Sequence, residues 1–392
     1  MTQQSKSKKS PVPLLLTVLL LIVVLILDQV IQPTDYLSML LKVLQKASVY
    51  ALAAVSLNLL TGFTGLFSLG HAGFMLIGTY TYAIFTISSE SRDAVYQYYD
   101  AAVRFSFPEA FSSVLGPLGT VLGVVLAILL AGAVSALVAW LIGLPVLRLK
   151  SDYLAIATLG FAEVIRAIFQ WGKLGPITNG SNPLKSFVRI ADFELEIGGT
   201  VISLSTFIPV LLSAVCIGII VLLINSSYGR AFKAIRENEI AAEAMGINLA
   251  RHKMLSFCIS SFFAGVAGAG MAMVLGIAQA NNFKSAMTYE ILLMVVLGGI
   301  GSISGSVIGA TLFIAASEWW LRGLDNGKFL FIEAPAVFRN GFRLVVFSVV
   351  IMAVVLFFRK GIMGDQELTA LPKRLRQLRL PGRHGKSGEV SK

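Results

Sequence analysis

The sequence predicts an all-α polytopic membrane protein of about ten transmembrane helices, with both termini in the cytoplasm. Three observations predict it. Of 392 residues, 56% are hydrophobic and 14% charged. That is too little polar surface for a soluble domain, but it suits helices whose outer faces meet lipid. Apolar runs of about 20 residues, the length that spans a bilayer, recur along the chain. The formal net charge of +11 is gathered in clusters, as the positive-inside bias requires.

Residues 1–11 read as a basic tail carrying Lys6, Lys8 and Lys9. The run 14–27 resembles a signal peptide in length and flanking charge. However, Asp28, Gln29 and Val30 stand where a cleavage site needs small residues, so 12–31 reads as a retained first span. Further spans fall near 43–62, 65–87, 117–147, 150–171, 205–225, 254–278 and 336–358. The stretch 287–321 is too long for one span and is interrupted by Gly298, Gly299, Gly301 and Gly305. It reads as two spans hinged there. A transmembrane domain thus covers 12–358, and a basic tail, 359–392, follows with Lys373, Arg374, Arg376 and Arg379 among its charges.

Alternating the spans from a cytoplasmic N-terminus puts both tails, Arg148, Lys150 and the loop 226–253 on the cytoplasmic side. The loops 88–116 and 172–204 fall outside, and neither has a basic excess. Treating 287–321 as one span would move the basic C-terminal tail outside, against the bias. The basic clusters fit this bias, and contact with anionic lipid, better than they fit nucleic-acid binding.

Chemistry-bearing residues are few. Cys216 and Cys258 lie in apolar runs and read as packing residues. No C-x-x-C or H-E-x-x-H spacing is present, so no metal site is expected. Gly385-Lys386-Ser387 lacks the preceding glycine and strand of a phosphate-binding loop, so no ATP-hydrolysing site is expected in this chain. Gly301, Gly305 and Gly309, and Ser261, Gly265 and Ala269, repeat every fourth residue, a spacing that lets helices approach closely in lipid. Asn58, Ser68 and His71 are polar groups in apolar runs. Interhelical hydrogen bonding and pathway lining both account for them. Glu163 and Arg166 stand i,i+3 and can neutralise each other, whereas Glu290 and Glu318 lie near span ends.

The segment 226–253 is the most informative. Ser226 or Ser227 can cap a helix, alanine, Glu and Arg favour helix through Met245, and Gly246 suits the residue after its end. Lys233 with Glu237, and Arg236 with Glu239, can pair along its surface. A plain solvated connector would also look polar, but the order Glu239-Ile240-Ala241-Ala242-Glu243-Ala244-Met245-Gly246 resembles the coupling motif of ABC importer permeases. Leu57-Asn58-Leu59-Leu60-Thr61-Gly62, Ser68-Leu69-Gly70-His71-Ala72-Gly73-Phe74, Asp152-Tyr153-Leu154-Ala155 and Val296-Leu297-Gly298-Gly299-Ile300-Gly301-Ser302 are similar to blocks of branched-chain amino-acid permeases of the LivM type, in the family's order.

The resemblance implies a transport subunit, not an enzyme. Gly229, Arg230, Arg236, Glu239, Ala242, Glu243 and Gly246 would couple it to ATP-binding subunits. Asn58, His71, Glu163 and Arg166 would be candidates for the translocation path. ATP and Mg would be used by two partner ATPase subunits, and this chain would bind no cofactor. A second related permease and an extracytoplasmic binding protein would complete an importer of leucine, isoleucine and valine in the inner membrane of a bacterium or archaeon. Urea or short-amide permeases share the motifs, and an ion-coupled secondary transporter is the rival of another class.

Overall fold

Long apolar runs become long helices. The computed structural model describes residues 12–30, 38–149, 151–197 and 200–320, with short pieces at 328–329, 332–333, 348–349, 352 and 361–364. The tails 1–11 and 365–392 and nearly all of the predicted span 336–358 lie outside the described residues. The long helices are α1 (Val12–Val30), α2 (Ser38–Asn58), α3 (His71–Thr86), α6 (Pro117–Val146), α7 (Ser151–Gln170), α9 (Phe207–Ile224) and α12 (Leu249–Leu275). Between them lie α4 (Ser89–Val95), α5 (Phe107–Leu115), α8 (Gly175–Thr178), α10 (Ser227–Glu237) and α11 (Glu239–Ala244). A short antiparallel hairpin pairs β1 (Glu194–Ile197) with β2 (Thr200–Ser203). Among the described residues, five helical stretches are long and apolar enough to cross a membrane: 38–63, 117–146, 153–170, 207–224 and 249–275.

The centre is α2, α3 and α12. They are buried along most of their length because small residues let their backbones meet. A Cβ on Gly78 would lie 2.0 Å from the Gly265 carbonyl oxygen, and one on Gly268 would lie 2.0 Å from that of Met75. Thr79 Oγ1 donates to the Gly268 carbonyl across the same crossing at 2.7 Å. The predicted use of Ser261, Gly265 and Ala269 for close packing is observed, since all three are buried.

Two predicted spans differ in detail. Residues 65–70 are not helical, and α3 starts only at His71. Leu59–Phe63 forms a π turn that ends α2, and Gly65 follows at φ 79°. The stretch 64–70 is bonded to the helices beside it: Leu66 N–H donates to the Leu60 carbonyl at 3.0 Å and Leu69 N–H to Thr158 Oγ1 at 3.0 Å. The stretch 287–321 does break at its glycines, into α13 (Ser285–Gly298) and α14 (Ile303–Ala315), which a second π turn extends to Trp320. Gly299 and Gly301 make the turn, at φ 121° and 91°. Gly305 and Gly309 instead let α14 lie against α13, where a Cβ would meet the Gly298 and Met294 carbonyl oxygens at 2.4 Å. At 14 residues, α13 is about 21 Å long, shorter than the predicted full span.

The predicted loops 88–116 and 172–204 form one interlocked cap at one end of the bundle. The Tyr96 hydroxyl donates to the Ile177 carbonyl at 2.8 Å, Ala102 N–H to the Pro176 carbonyl at 2.9 Å, and Asn179 Nδ2 to the Val95 carbonyl at 3.0 Å. Burial pushes the Tyr96 phenol up to about 12, against the opposing pull of Arg92.

Asp28 ties α1 to α9. It is buried, and its carboxylate accepts from the Thr206 N–H at 2.9 Å and the Thr206 hydroxyl at 2.9 Å, at the start of α9. Replacing Asp28 by Ala strands both buried donors, an expected loss of about 1–3 kcal/mol each. Asp28→Asn keeps an acceptor oxygen. The expected order of melting temperatures of the purified chain is therefore wild type, Asp28→Asn, Asp28→Ala.

Candidate functional site

The element 226–253 sits at the end of the bundle opposite the cap, against α9, α12 and the π turn. Its apolar face explains its placement: Phe232 and Ile235 are buried. Gly229 is buried too, and a Cβ there would lie 2.1 Å from the Ile224 carbonyl oxygen. Arg230, Lys233 and Glu237 face outward.

The predicted single helix through Met245 is two helices. Asn238 leaves helical geometry at φ −161°, ψ 111°, and its side chain accepts from Ala241 N–H at 3.1 Å, capping α11. Asparagine satisfies an orphan donor at a helix start better than it continues a helix. The predicted serine caps are not made. Ser226 Oγ donates back to the Leu223 carbonyl at 2.6 Å, and Ser227 Oγ accepts from Arg230 at 3.0 Å. Gly246 ends α11 at φ 84° as expected. Gly246 N–H donates to the Glu243 carbonyl at 2.9 Å and Ile247 N–H to that of Ala242 at 3.1 Å, the paired bonds of a Schellman closure.

The predicted surface pairs are replaced by others. Glu239 pairs with Lys253 at 2.7 Å, and Lys233 lies 5.5 Å from the Phe63 ring centroid. Among the predicted coupling residues, Gly229 and Ala242 face the bundle, whereas Arg230, Glu239, Glu243 and Gly246 are exposed. The sequence reading missed two residues of α11 and its end. Ile240 is 81% exposed and Met245 83%, large apolar side chains on a short polar element. Their signal was visible as apolar residues that the burial pattern of so short a helix cannot absorb.

Arg236 connects this element to the bundle. Its Nη1 donates to the Gly62 carbonyl in the π turn at 2.6 Å. One turn earlier stands Asn58, fully buried. Its Nδ2 donates to the Ser302 carbonyl at 2.9 Å and to Ser306 Oγ at 2.8 Å, and its Oδ1 accepts from Gly301 N–H at 2.9 Å. The exposed element, the end of α2 and the glycine turn between α13 and α14 are therefore joined by a short run of directional bonds. The space at Gly62 is filled by the same joint, since a Cβ there would lie 1.8 Å from Asn58 Oδ1.

His71 is also buried, with Nε2 2.8 Å from Ser56 Oγ. Asn58 and His71 thus sit in interhelical bonding positions. Glu163 and Arg166 form the expected i,i+3 pair at 2.7 Å on α7. Glu163 also accepts from Ser285 N–H at 3.2 Å and from its hydroxyl, tying α7 to the start of α13. Glu318, in the second π turn, pairs with Lys46 of α2. Among the described residues no group of three or more His, Cys, Asp or Glu side chains gathers as a metal site would require.

Residues 39–358 match the family described as "Branched-chain amino acid transport system / permease component". The chain is 32% identical over 291 residues to the "High-affinity branched-chain amino acid transport system permease protein LivM" of Salmonella typhimurium, covering 69% of this chain and 61% of that protein. It is 27% identical over 241 residues to the "Probable branched-chain amino acid transport permease protein LivH" of Methanocaldococcus jannaschii, covering 59% and 71%. A shorter likeness, 33% over 122 residues, covers 30% of this chain and 29% of the "Xylose transport system permease protein XylH" of Escherichia coli. The chain spans about three-fifths of the length of the LivM relatives it matches. No solved structure matches.

Proposed function

The chain belongs to the family of branched-chain amino acid transport system permease components, and from that premise we propose that it is the permease subunit of an ATP-driven importer of leucine, isoleucine and valine. The observation that carries the coupling half of the proposal is the α10–α11 element with its exposed Ile240 and Met245. Apolar side chains this exposed on a short charged helix suit a protein groove better than water. The groove is that of an ATP-binding subunit, one of two, which uses ATP and Mg. Arg230, Glu239 and Glu243 surround the two apolar anchors, and Arg236 passes the displacement to Gly62 and Asn58.

In this reading the cap faces outward and receives an extracytoplasmic binding protein. The chain crosses the membrane of a bacterium or archaeon about ten times, with both termini inside and a second, related permease beside it. The directions of the helices support the orientation: α9 runs from the cap to the α10 end and α12 runs back. Alternating access follows as the helices rearrange about their small-residue contacts.

The test is energised uptake of labelled leucine in cells lacking the chain, with wild type or Ile240→Asp/Met245→Asp restored. Uptake restored by wild type and competed by isoleucine and valine, but at least about ten-fold lower in the double variant at equal membrane abundance, is the expected result. The factor is that of one lost anchor of at least about 1.4 kcal/mol. Uptake competed by urea instead would overturn the substrate, and full uptake by the double variant would overturn the docking face.

A further inference from the structure

We infer that the exposed face of α7 borders water rather than lipid and forms a wall of the route taken by a small zwitterionic solute with an aliphatic side chain. The inference rests on the permease reading for its solute, but not for its water. Three observations on α7 converge. The Glu163–Arg166 pair is not enclosed: the two side chains keep 36% and 25% of their exposure. Glu163 lies seven residues from the last residue of α7, about 10 Å along its axis. Ionised groups at such a depth face a bundle interior or a water-filled cavity rather than hydrocarbon.

The pair is also part of a longer polar seam. Glu163, Arg166 and Gln170 stand i, i+3 and i+7 on one flank of the helix. Across from them are Ser285 and Asn281, the latter bonded to Gln170 at 2.9 Å. Beside this flank runs the exposed stripe Tyr153, Ile156, Gly160 and Val164, each three or four residues from the next. At Gly160 an added Cβ meets nothing within 4 Å, so that part of the face is open to whatever lies outside the chain.

Charge and shape together define the solute. Arg166 offers a guanidinium for a carboxylate, Glu163 offers a carboxylate for an ammonium, and the neighbouring aliphatic stripe suits a branched apolar side chain. A lipid tail matches the stripe but leaves the pair in hydrocarbon.

The experiment is cysteine accessibility in the assembled transporter, in membrane vesicles, in a Cys216→Ala/Cys258→Ala background. Ile156→Cys, Gly160→Cys and Val164→Cys are compared with Val125→Cys and Leu129→Cys on the exposed face of α6. The probe is the permanently charged trimethylammonium-ethyl methanethiosulfonate, which reacts with an ionised thiol in water. The expected result is reaction at Ile156→Cys and Gly160→Cys at least about ten-fold faster than at the α6 positions, and slowed by leucine.

A further variant, Ala167→Cys, lies close to the end of the helix, and reaction there with none at 156 and 160 would overturn the inference by placing the pair at the membrane surface. No reaction at 156 and 160, with photo-crosslinking to a neighbouring subunit from a benzoylphenylalanine placed at 156, would overturn it in favour of a protein contact. Fast labelling that leucine leaves unchanged would keep the water and remove the solute. Because labelling needs no transport, its failure is distinguishable from failure of the uptake test.

Discussion

Replacing Gly268 by leucine is expected to abolish accumulation of folded chain in the membrane, the largest effect of any single substitution considered. The reason is geometric. The first side-chain carbon would already stand 2.0 Å from the Met75 carbonyl oxygen, and backbone cannot swing aside as a side chain can. Helices α3 and α12 must then part, exposing the buried faces of both and breaking the Thr79–Gly268 bond. Overpacking a well-filled core costs about 1–3 kcal/mol where neighbours can adjust. Here the cost lies at or above the top of that range, against a total stability of about 5–15 kcal/mol. Gly268→Ala carries the same first carbon without the bulk beyond it, and is expected to accumulate well below wild type with a lowered melting temperature in the fraction that folds. Gly218→Ala, where nothing lies within 4 Å of the added carbon, should match or exceed wild type, since alanine favours helix over glycine by about 1 kcal/mol. Size-exclusion profiles and thermal unfolding of the detergent-solubilised variants check the series, and a normal Gly268→Leu profile would show that the helices do not cross this closely.

Replacing Arg236 by alanine is expected to leave the chain inserted and stable but to cut uptake by about 10- to 100-fold. A hydrogen bond from a charged donor contributes about 1.5–3 kcal/mol, and a loss of that size in the link between two sites changes their coupling by such a factor. The site at risk is the 2.6 Å bond to the Gly62 carbonyl. Arg236→Lys keeps the charge without the planar fork and should recover part of the activity. The readout that separates coupling from folding is ATP hydrolysis by the reconstituted complex. In Arg236→Ala, hydrolysis should continue while its response to substrate-loaded binding protein is lost. Unchanged uptake would remove Arg236 from the link.

Much of the helix layout was legible because apolar length and small-residue spacing are local properties of a sequence. The 117–147 run, the glycine break within 287–321 and the Gly246 terminus all depend on neighbours in the chain. What was not legible depends on partners far away. The break at Asn238 arises because a side-chain cap outcompetes helix propensity that alone favours continuation. The irregular stretch 64–70 is held in large part by bonds to Thr158 and Leu60, outside it. The cap looked like two separate loops because its bonds join residues about 80 positions apart. For the candidate site, the motif singles out 229–246, but not which of its side chains point outward. Ala242 faces the bundle, and Ile240 and Met245 do not.

The π turn at Leu59–Phe63 gives α2 one residue more than an α-helix of equal rise would need. That surplus is slack. A turn with slack can pass it along the helix by exchanging i→i+5 bonds for i→i+4 bonds, one at a time, without unzipping the rest. Each such exchange swivels whatever follows by a fraction of a turn. Arg236 holds the chain within this slack, at Gly62, so the bond that ties the outer element to the bundle ends on the one turn of α2 that has a residue to spare.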